Sequence, residues 1–221
     1  MLRIKEYRSA GYCKYYWNNT RRFWIYGKEF SYGGLFCSRD TFVVPAYAWV
    51  WDACGTGNTE ATYDITMAVK QNTNLPIIIK LSPSIQNLTE VALAAQRAGA
   101  DAINMGNTHG PGMVINIETR QPILDFKIGG VSGPAIKPIT VRCVYDLYES
   151  IKIPIIGTGG ITNGRDAIEM MMAGATTLGV GSAVYYRGID VFEKICKEME
   201  EFMLKEGYNG VKDLVGVAHG N

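Results

Sequence analysis

The chain has 221 residues, enough for one domain with a real hydrophobic core. Its 22 basic and 21 acidic residues nearly cancel, which leaves no electrostatic footprint for nucleic acid or an anionic membrane surface. Two histidines, five cysteines without a CxxC pair, a charged start and no apolar run of roughly 18 residues argue against a metal site, a disulfide framework, a secretory signal and a membrane span, so a cytoplasmic setting is expected.

Composition changes near residue 58. All four tryptophans (Trp17, Trp24, Trp49, Trp51) lie before it, with seven of the thirteen tyrosines and three of the five cysteines. Residues 8–57 keep no sustained period of 3.6 or 2. Thr41–Pro45 is strand-like, but no flanking element completes it. The expected division is an irregular segment over 1–58 and a regular one over 59–221.

After the seam the pattern becomes orderly. Glu60–Asn72 reads as a helix, with Ala61, Ile65, Met67 and Val69 as its buried candidates. Pro76–Leu81 is a short apolar run, as expected of a strand covered on both faces. Leu88–Ala98 is helical, with Asn87 as its N-cap, Glu90 three residues on and Gly99 as its stop. Asp101–Met105 is the next strand, and a glycine- and proline-punctuated loop follows over 106–137. Pro138 opens a helix that runs to Ser150. Ile153–Ile156 is a strand, Arg165–Met172 a helix, Thr176–Val180 a strand, Val191–Lys205 an amphipathic helix and Val211–Val217 a short terminal one. Four β-then-α units imply parallel strands and right-handed crossovers. They fit a doubly wound sheet or half of a (β/α)8 barrel, since a whole barrel takes about 250 residues.

Glycines cluster just beyond the strands. Gly157-Thr158-Gly159-Gly160 follows one strand and Gly181-Ser182 the next. One such turn says no more than a tight βα connection. Two after consecutive strands point to an anion nest for phosphate, the arrangement common at the late strands of (β/α)8 barrels. Lys80 sits inside an apolar strand, where an unpaired ammonium is costly, so it suggests a buried acceptor or a developing negative charge, unless it snorkels to solvent. Asn107 and Thr108 can both donate and accept, which suits a planar polar ligand as well as it suits a strand-ending turn. His109 could be a general base but lies in a loop expected to face solvent. Cys143 and Cys196 fall on helix faces as packed thiols, and Tyr185-Tyr186 reads as packing.

In order and spacing, PIIIKLSP, INMGNT, GGVSGPAIKP, IPIIGTGG and GVGSAVYYRG resemble the strand-end motifs of class 1 dihydroorotate dehydrogenases, most of all the class 1B catalytic subunit; GYNGVKDLVGVAH resembles the tail. The resemblance runs from about Thr59 to His219. It implies a (β/α)8 barrel, of which this is the second half, and FMN-dependent oxidation of dihydroorotate to orotate in pyrimidine biosynthesis. Lys80 would lie at the flavin N1/O2 edge and stabilise the reduced anionic flavin. Asn107 and Thr108 would hydrogen-bond the orotate ring. Gly106 and Gly133 would approach FMN, and Gly159, Gly160, Gly181 and Ser182 would cradle its phosphate. Gly106 stands where the family usually has a bulky aliphatic, and His109–Met113 is one residue longer than usual. The resemblance also implies an oligomer and a partner subunit carrying FAD and an iron–sulfur cluster, with NAD as acceptor. Another FMN barrel acting on dihydrouracil, a flavin-free phosphate-binding barrel and a non-catalytic remnant stay open.

The family's catalytic base is a cysteine in a motif like SCPHxxGYGMxxGQ, before the helix that opens near Glu60. No catalytic residue of this kind is found here: the chain reads Val43 to Thr56 as VVPAYAWVWDACGT. Read one base forward, Trp49 and Trp51 must become glycine, and Tyr47 and Asp52 methionine or threonine. Val44-Pro45-Ala46 can become Cys-Pro-His, Val50 tyrosine and Thr56 glutamine. The shifted reading can be SCPHMRGYGMHVGQ. Residues up to about Gly57 are therefore expected to include a frameshifted stretch, and neither Cys37 nor Cys54 has the neighbours of the family's base.

Overall fold

The computed structural model describes residues 58–220 in full and, between residues 6 and 45, the backbone of six short strands. These are β1 (Glu6–Ser9), β2 (Tyr12–Tyr15), β3 (Arg22–Ile25), β4 (Lys28–Ser31), β5 (Phe36–Ser38) and β6 (Phe42–Pro45). β1 pairs with β2, β2 with β5, β5 with β6 and β3 with β4, all antiparallel. β6 lies parallel to β7 (Ile77–Leu81), with Phe42 opposite Ile77 and Pro45 opposite Lys80. The strand-like piece before Pro45 does have completing neighbours. β5 flanks it on one side, and on the other β7 comes from far downstream, where no local pattern could name it.

Two compact units follow from the contacts. The first holds residues 1–81, 85–104 and 150–154. In it α1 (Thr59–Lys70) and α2 (Leu88–Arg97) pack on each other and on β7. Asn58 caps α1, its side chain accepting the Ala61 N–H at 3.0 Å. The buried face of α1 differs from the expected one: Thr62, Thr66, Ala68 and Val69 are buried, while Ala61, Ile65 and Met67 are half-exposed. Threonine can go inside because its hydroxyl is satisfied within the helix: Thr62 donates to the Asn58 carbonyl at 2.9 Å and Thr66 to the Thr62 carbonyl at 2.7 Å. On β7, Ile77, Ile79 and Leu81 are buried, and Ile78 and Lys80 are only partly so. The strand alternates rather than being covered alike on both faces. Asn87 stands at the N-cap position of α2, as expected, but makes no side-chain cap bond; its amide donates instead to Thr59 at 3.3 Å and to Glu90 at 3.4 Å.

Asp101 ties this unit together just before β8 (Ala102–Met105). One carboxylate oxygen accepts both the Lys70 ammonium and the Ile77 N–H, each at 2.7 Å. Burial alone would raise its pKa. The Lys70 hydrogen bond, the Ile77 N–H and the Lys70 charge outweigh that and hold the carboxyl below its ordinary value.

The second unit holds residues 82–84, 105–149 and 155–221. The segment read as one long loop is folded: β9 (His109–Gly112) pairs antiparallel with β12 (Gly129–Val131), and between them β10 (Ile115–Asn116) pairs with β11 (Gln121–Pro122). Strands of two to four residues are too short to carry a readable period. This arm leaves large apolar side chains in water, Ile117 at 79% and Phe126 at 87% exposure. A 3-10 turn (Pro134–Ile136) leads into α3 (Lys137–Ser150), which starts one residue before Pro138.

β13 (Ile155–Thr158), α4 (Gly164–Met172), β14 (Thr177–Gly179), α5 (Ala183–Arg187) and α6 (Val191–Glu206) follow. β13 and β14 are parallel, with Thr158 opposite Gly179. Asn163 caps α4, accepting the Asp166 N–H at 3.0 Å, and α4 packs on β14 and α6. Val144, Leu147, Ile155, Met170 and Leu214 are almost wholly buried, each worth roughly 1.5–3 kcal/mol. α5 was not legible in the sequence, being only five residues long. The expected terminal helix is two 3-10 turns, Val211–Leu214 and Val217–His219, broken at Gly216, whose φ is +77°. Cys143 is buried, which pushes its thiol pKa up. Cys196 is exposed and not packed as expected. His219 closes the chain end, its ring stacked on Tyr145 at 3.8 Å between centroids and its Nε2 3.1 Å from the Ala173 carbonyl.

Two contacts fix the strand ends of this unit. A Cβ at Gly106, just past β8, would lie 1.6 Å from the Thr158 carbonyl oxygen, so no side chain fits there. Lys137 joins α3 to α4, its ammonium donating to Asp166 at 2.7 Å and to Glu169 at 2.6 Å, and Asp166 also accepts the Thr162 N–H at 2.9 Å and hydroxyl at 2.6 Å. Burial works against ionisation of Asp166, but Lys137 and Thr162 together hold its carboxyl below the usual value.

The Gly106→Ala variant is expected to lose ~3 kcal/mol or more of stability in urea unfolding, because a backbone carbonyl cannot yield as a side chain can. Asp166→Asn is expected to cost about 2 kcal/mol near neutral pH. A depressed carboxyl pKa contributes stability that is complete above the ordinary aspartate value of 3.8 and is lost as pH falls through the lower folded-state value. The gap between wild type and Asp166→Asn should therefore hold from neutrality down to about pH 4 and close below it.

Candidate functional site

The carboxyl ends of β13 and β14 lie side by side, so the loops that leave them are neighbours. The first runs through Gly159 and Gly160, the second through Gly181 and Ser182. Each is held against α3 or the turn before it. A Cβ at Gly160 would come within 2.8 Å of the Lys137 backbone, and one at Gly159 within 2.4 Å of the Thr140 hydroxyl. Gly160 also has φ +74°, a conformation that any other residue would strain to hold. Gly133, at φ +92°, stands against Ser182 and Tyr186: a Cβ there would be 3.1 Å from the Tyr186 hydroxyl and 3.8 Å from Ser182 Oγ. The structure thus gathers Gly133, Gly159, Gly160, Gly181 and Ser182, five residues that are scattered in the sequence.

What this cluster offers is backbone. Among the described residues the amide N–H groups of Gly160, Gly181 and Ser182 donate to no other group, while the β13–β14 ladder runs up to Thr158 and Gly179. The space where a Gly181 side chain would stand is open for 4 Å. Just before the first loop, Thr158 Oγ1 is buried without a hydrogen-bond partner among the described residues. Backbone donors beside the open space at Gly181 suit an anion with several acceptor oxygens. A phosphate group is of that kind, and the residues present fit it.

The remaining candidates fall as follows. Gly106 abuts the Thr158 carbonyl and is buried, so its glycine is required by the chain itself. That accounts for the missing bulky aliphatic. Asn107 is half-buried and Thr108 exposed, and neither side chain makes a hydrogen bond among the described residues. Thr108 lies over Gly130, where a Cβ would meet its hydroxyl at 2.2 Å. Lys80 belongs to the first unit, half-buried on the face of β7 that it shares with Ile78. His109 is half-buried on β9 and not free in solvent, its Nδ1 3.5 Å from the Ser84 hydroxyl. Tyr185 is almost fully exposed at 96%. Tyr186 turns its hydroxyl toward Gly133, and it was read only as packing because a lone tyrosine pair carries no positional signal. Thr158 was missed for a similar reason, hidden inside a turn that glycine dominates. The stretch from Ala46 to Thr56 and the side chains of Cys37 and Cys54 lie outside the described residues. Among the described residues no cluster of His, Cys, Asp or Glu could hold a metal ion, and no helix is long and apolar enough to cross a membrane.

Comparison with known proteins agrees with these motifs. The sequence model of the dihydroorotate dehydrogenase family matches residues 54–203. The catalytic subunit of dihydroorotate dehydrogenase B (NAD(+)) from Methanothermobacter thermautotrophicus is 47% identical over 169 residues, covering 75% of this chain and 56% of the relative. The subunits of the same name from Pyrococcus abyssi and Methanocaldococcus jannaschii are 45% and 46% identical, over 72% and 73% of this chain and 53% and 52% of theirs. The chain spans about half the length of the curated relatives it matches. The match begins close to the compositional seam and takes in every glycine of the cradle, and on that footing the chain belongs to the dihydroorotate dehydrogenase family, with the α/β units of that family's (β/α)8 barrel.

Proposed function

We propose that residues 59–221 supply the FMN-phosphate and orotate-binding part of a dihydroorotate dehydrogenase acting in pyrimidine biosynthesis. The observation that carries this reading is the pair of glycine loops with unpaired amides, closed from the side by Gly133. The amides of Gly159, Gly160, Gly181 and Ser182 hold the phosphate oxygens, with the Ser182 hydroxyl as a further donor. Asn107 and Thr108, free of other partners among the described residues, orient the pyrimidine ring, and Gly106 keeps the chain low beneath them. When bound, FMN supplies the two-electron acceptor for that ring. Lys80 stabilises negative charge that develops on the reduced flavin. The relatives are named catalytic subunits of an NAD(+) enzyme, which supports a partner subunit and NAD(+) as acceptor; in this reading the partner carries FAD and an iron–sulfur cluster.

The proton-abstracting base belongs to the stretch before residue 58. We infer that this stretch was read in a shifted frame, and that the chain as written binds ligands without oxidising dihydroorotate.

The phosphate reading is tested by titrating the full chain with FMN and with riboflavin and following quenching of flavin fluorescence. FMN should bind on the order of tenfold tighter or more, since each charge-assisted hydrogen bond is worth roughly 1.5–3 kcal/mol. Equal affinities would exclude a phosphate cradle. The frame is tested by sequencing the gene across codons 1–60. A corrected insertion or deletion should restore a cysteine-containing SCPH-type loop, and the corrected protein should bleach its flavin with dihydroorotate under anaerobic conditions. An unchanged frame with an active product would overturn the inference.

A further inference from the structure

The glycine loops carry no charged side chain, yet an ion pair grips the chain on either side of them. Arg187 ends α5, the helix that follows Ser182. Its Nη1 donates to the Thr162 carbonyl at 3.0 Å and to Glu198 Oε2 at 3.2 Å, and its Nη2 donates to Glu198 Oε1 at 2.5 Å. Glu198, on α6, accepts the Gly164 N–H at 2.6 Å through the same Oε2. Thr162 and Gly164 continue directly from Gly159-Gly160. Gly164 is pressed so close that a Cβ there would lie 2.5 Å from that of Glu198. One guanidinium and one carboxylate therefore fasten the downstream end of the first glycine loop to the helix that grows from the second. Arg187 meets Glu198 in the planar two-pronged geometry that lysine cannot copy.

Resting on the FMN reading above, we propose that the Arg187–Glu198 pair is a positioning device: it sets the distance between the two glycine loops so that their amides converge on one phosphate group. Neither residue touches the phosphate.

The test compares the full chain with its Arg187→Met, Glu198→Gln and doubly substituted forms. Each is titrated with FMN and with riboflavin, and circular dichroism checks folding. Wild type should prefer FMN, and each single substitution should lower that preference about tenfold while leaving riboflavin affinity unchanged, with the double form no worse than either single. A merely structural tie would weaken both flavins alike, and that result overturns the proposal. Direct contact of Arg187 with phosphate would make Glu198→Gln tighten FMN by freeing the guanidinium, which also overturns it. If Arg187→Met does not fold, Glu198→Gln alone decides, because it keeps the size of the side chain and most of its packing. A wild-type chain that binds both flavins equally removes the phosphate reading and this inference with it, whereas a preference that survives both substitutions removes only the inference.

Discussion

The carboxyl ends of the strands in the second unit depend on main chain meeting main chain at distances that exclude every side chain. Gly106 against the Thr158 carbonyl, Gly160 against the Lys137 backbone and Gly164 against α6 are three instances of one constraint. Only glycine removes the obstacle. The same lack of a Cβ that lets the elements close also bares the amides that a ligand can reach. On the proposed reading, packing and phosphate binding are two results of a single choice of residue.

Much of this was legible from residues 59 onward because local and global preferences agree there. The helix Leu88–Arg97 and the apolar strand Ile77–Leu81 announce their type, though the strand buries only alternate residues. What escaped is what period and hydropathy do not register. Thr62 and Thr66 are inside because their own helix satisfies them, which hydropathy cannot register. Asn87 holds the N-cap position of α2 but turns its side chain to Thr59 and Glu90. β9 to β12 are too short for periodicity, and Arg187 and Glu198 look like ordinary surface charges until the fold brings them to the Thr162 carbonyl. The glycines proposed to hold phosphate are named from sequence because two consecutive strand-end loops repeat one signal. Gly133 was assignable only by resemblance, since nothing near it in sequence points to Ser182.

The candidate chemistry is divided unevenly along the chain. Residues suited to hold phosphate and ring all follow residue 58, whereas the stretch that should carry the base precedes it. That division gives binding and turnover different genetic footing. A lesion in the early codons can silence catalysis and leave the later amides as good a cradle as before.

The arm between β9 and β12 has a consequence of a more practical kind. Ile117 and Phe126 stand in water in the folded chain, together with Met113, Val114, Ile123 and Leu124. Most proteins show such a surface only on unfolding, so their solubility follows their stability. Here the two are uncoupled. A substitution that raises the melting temperature through the core leaves this exposed apolar surface as it is.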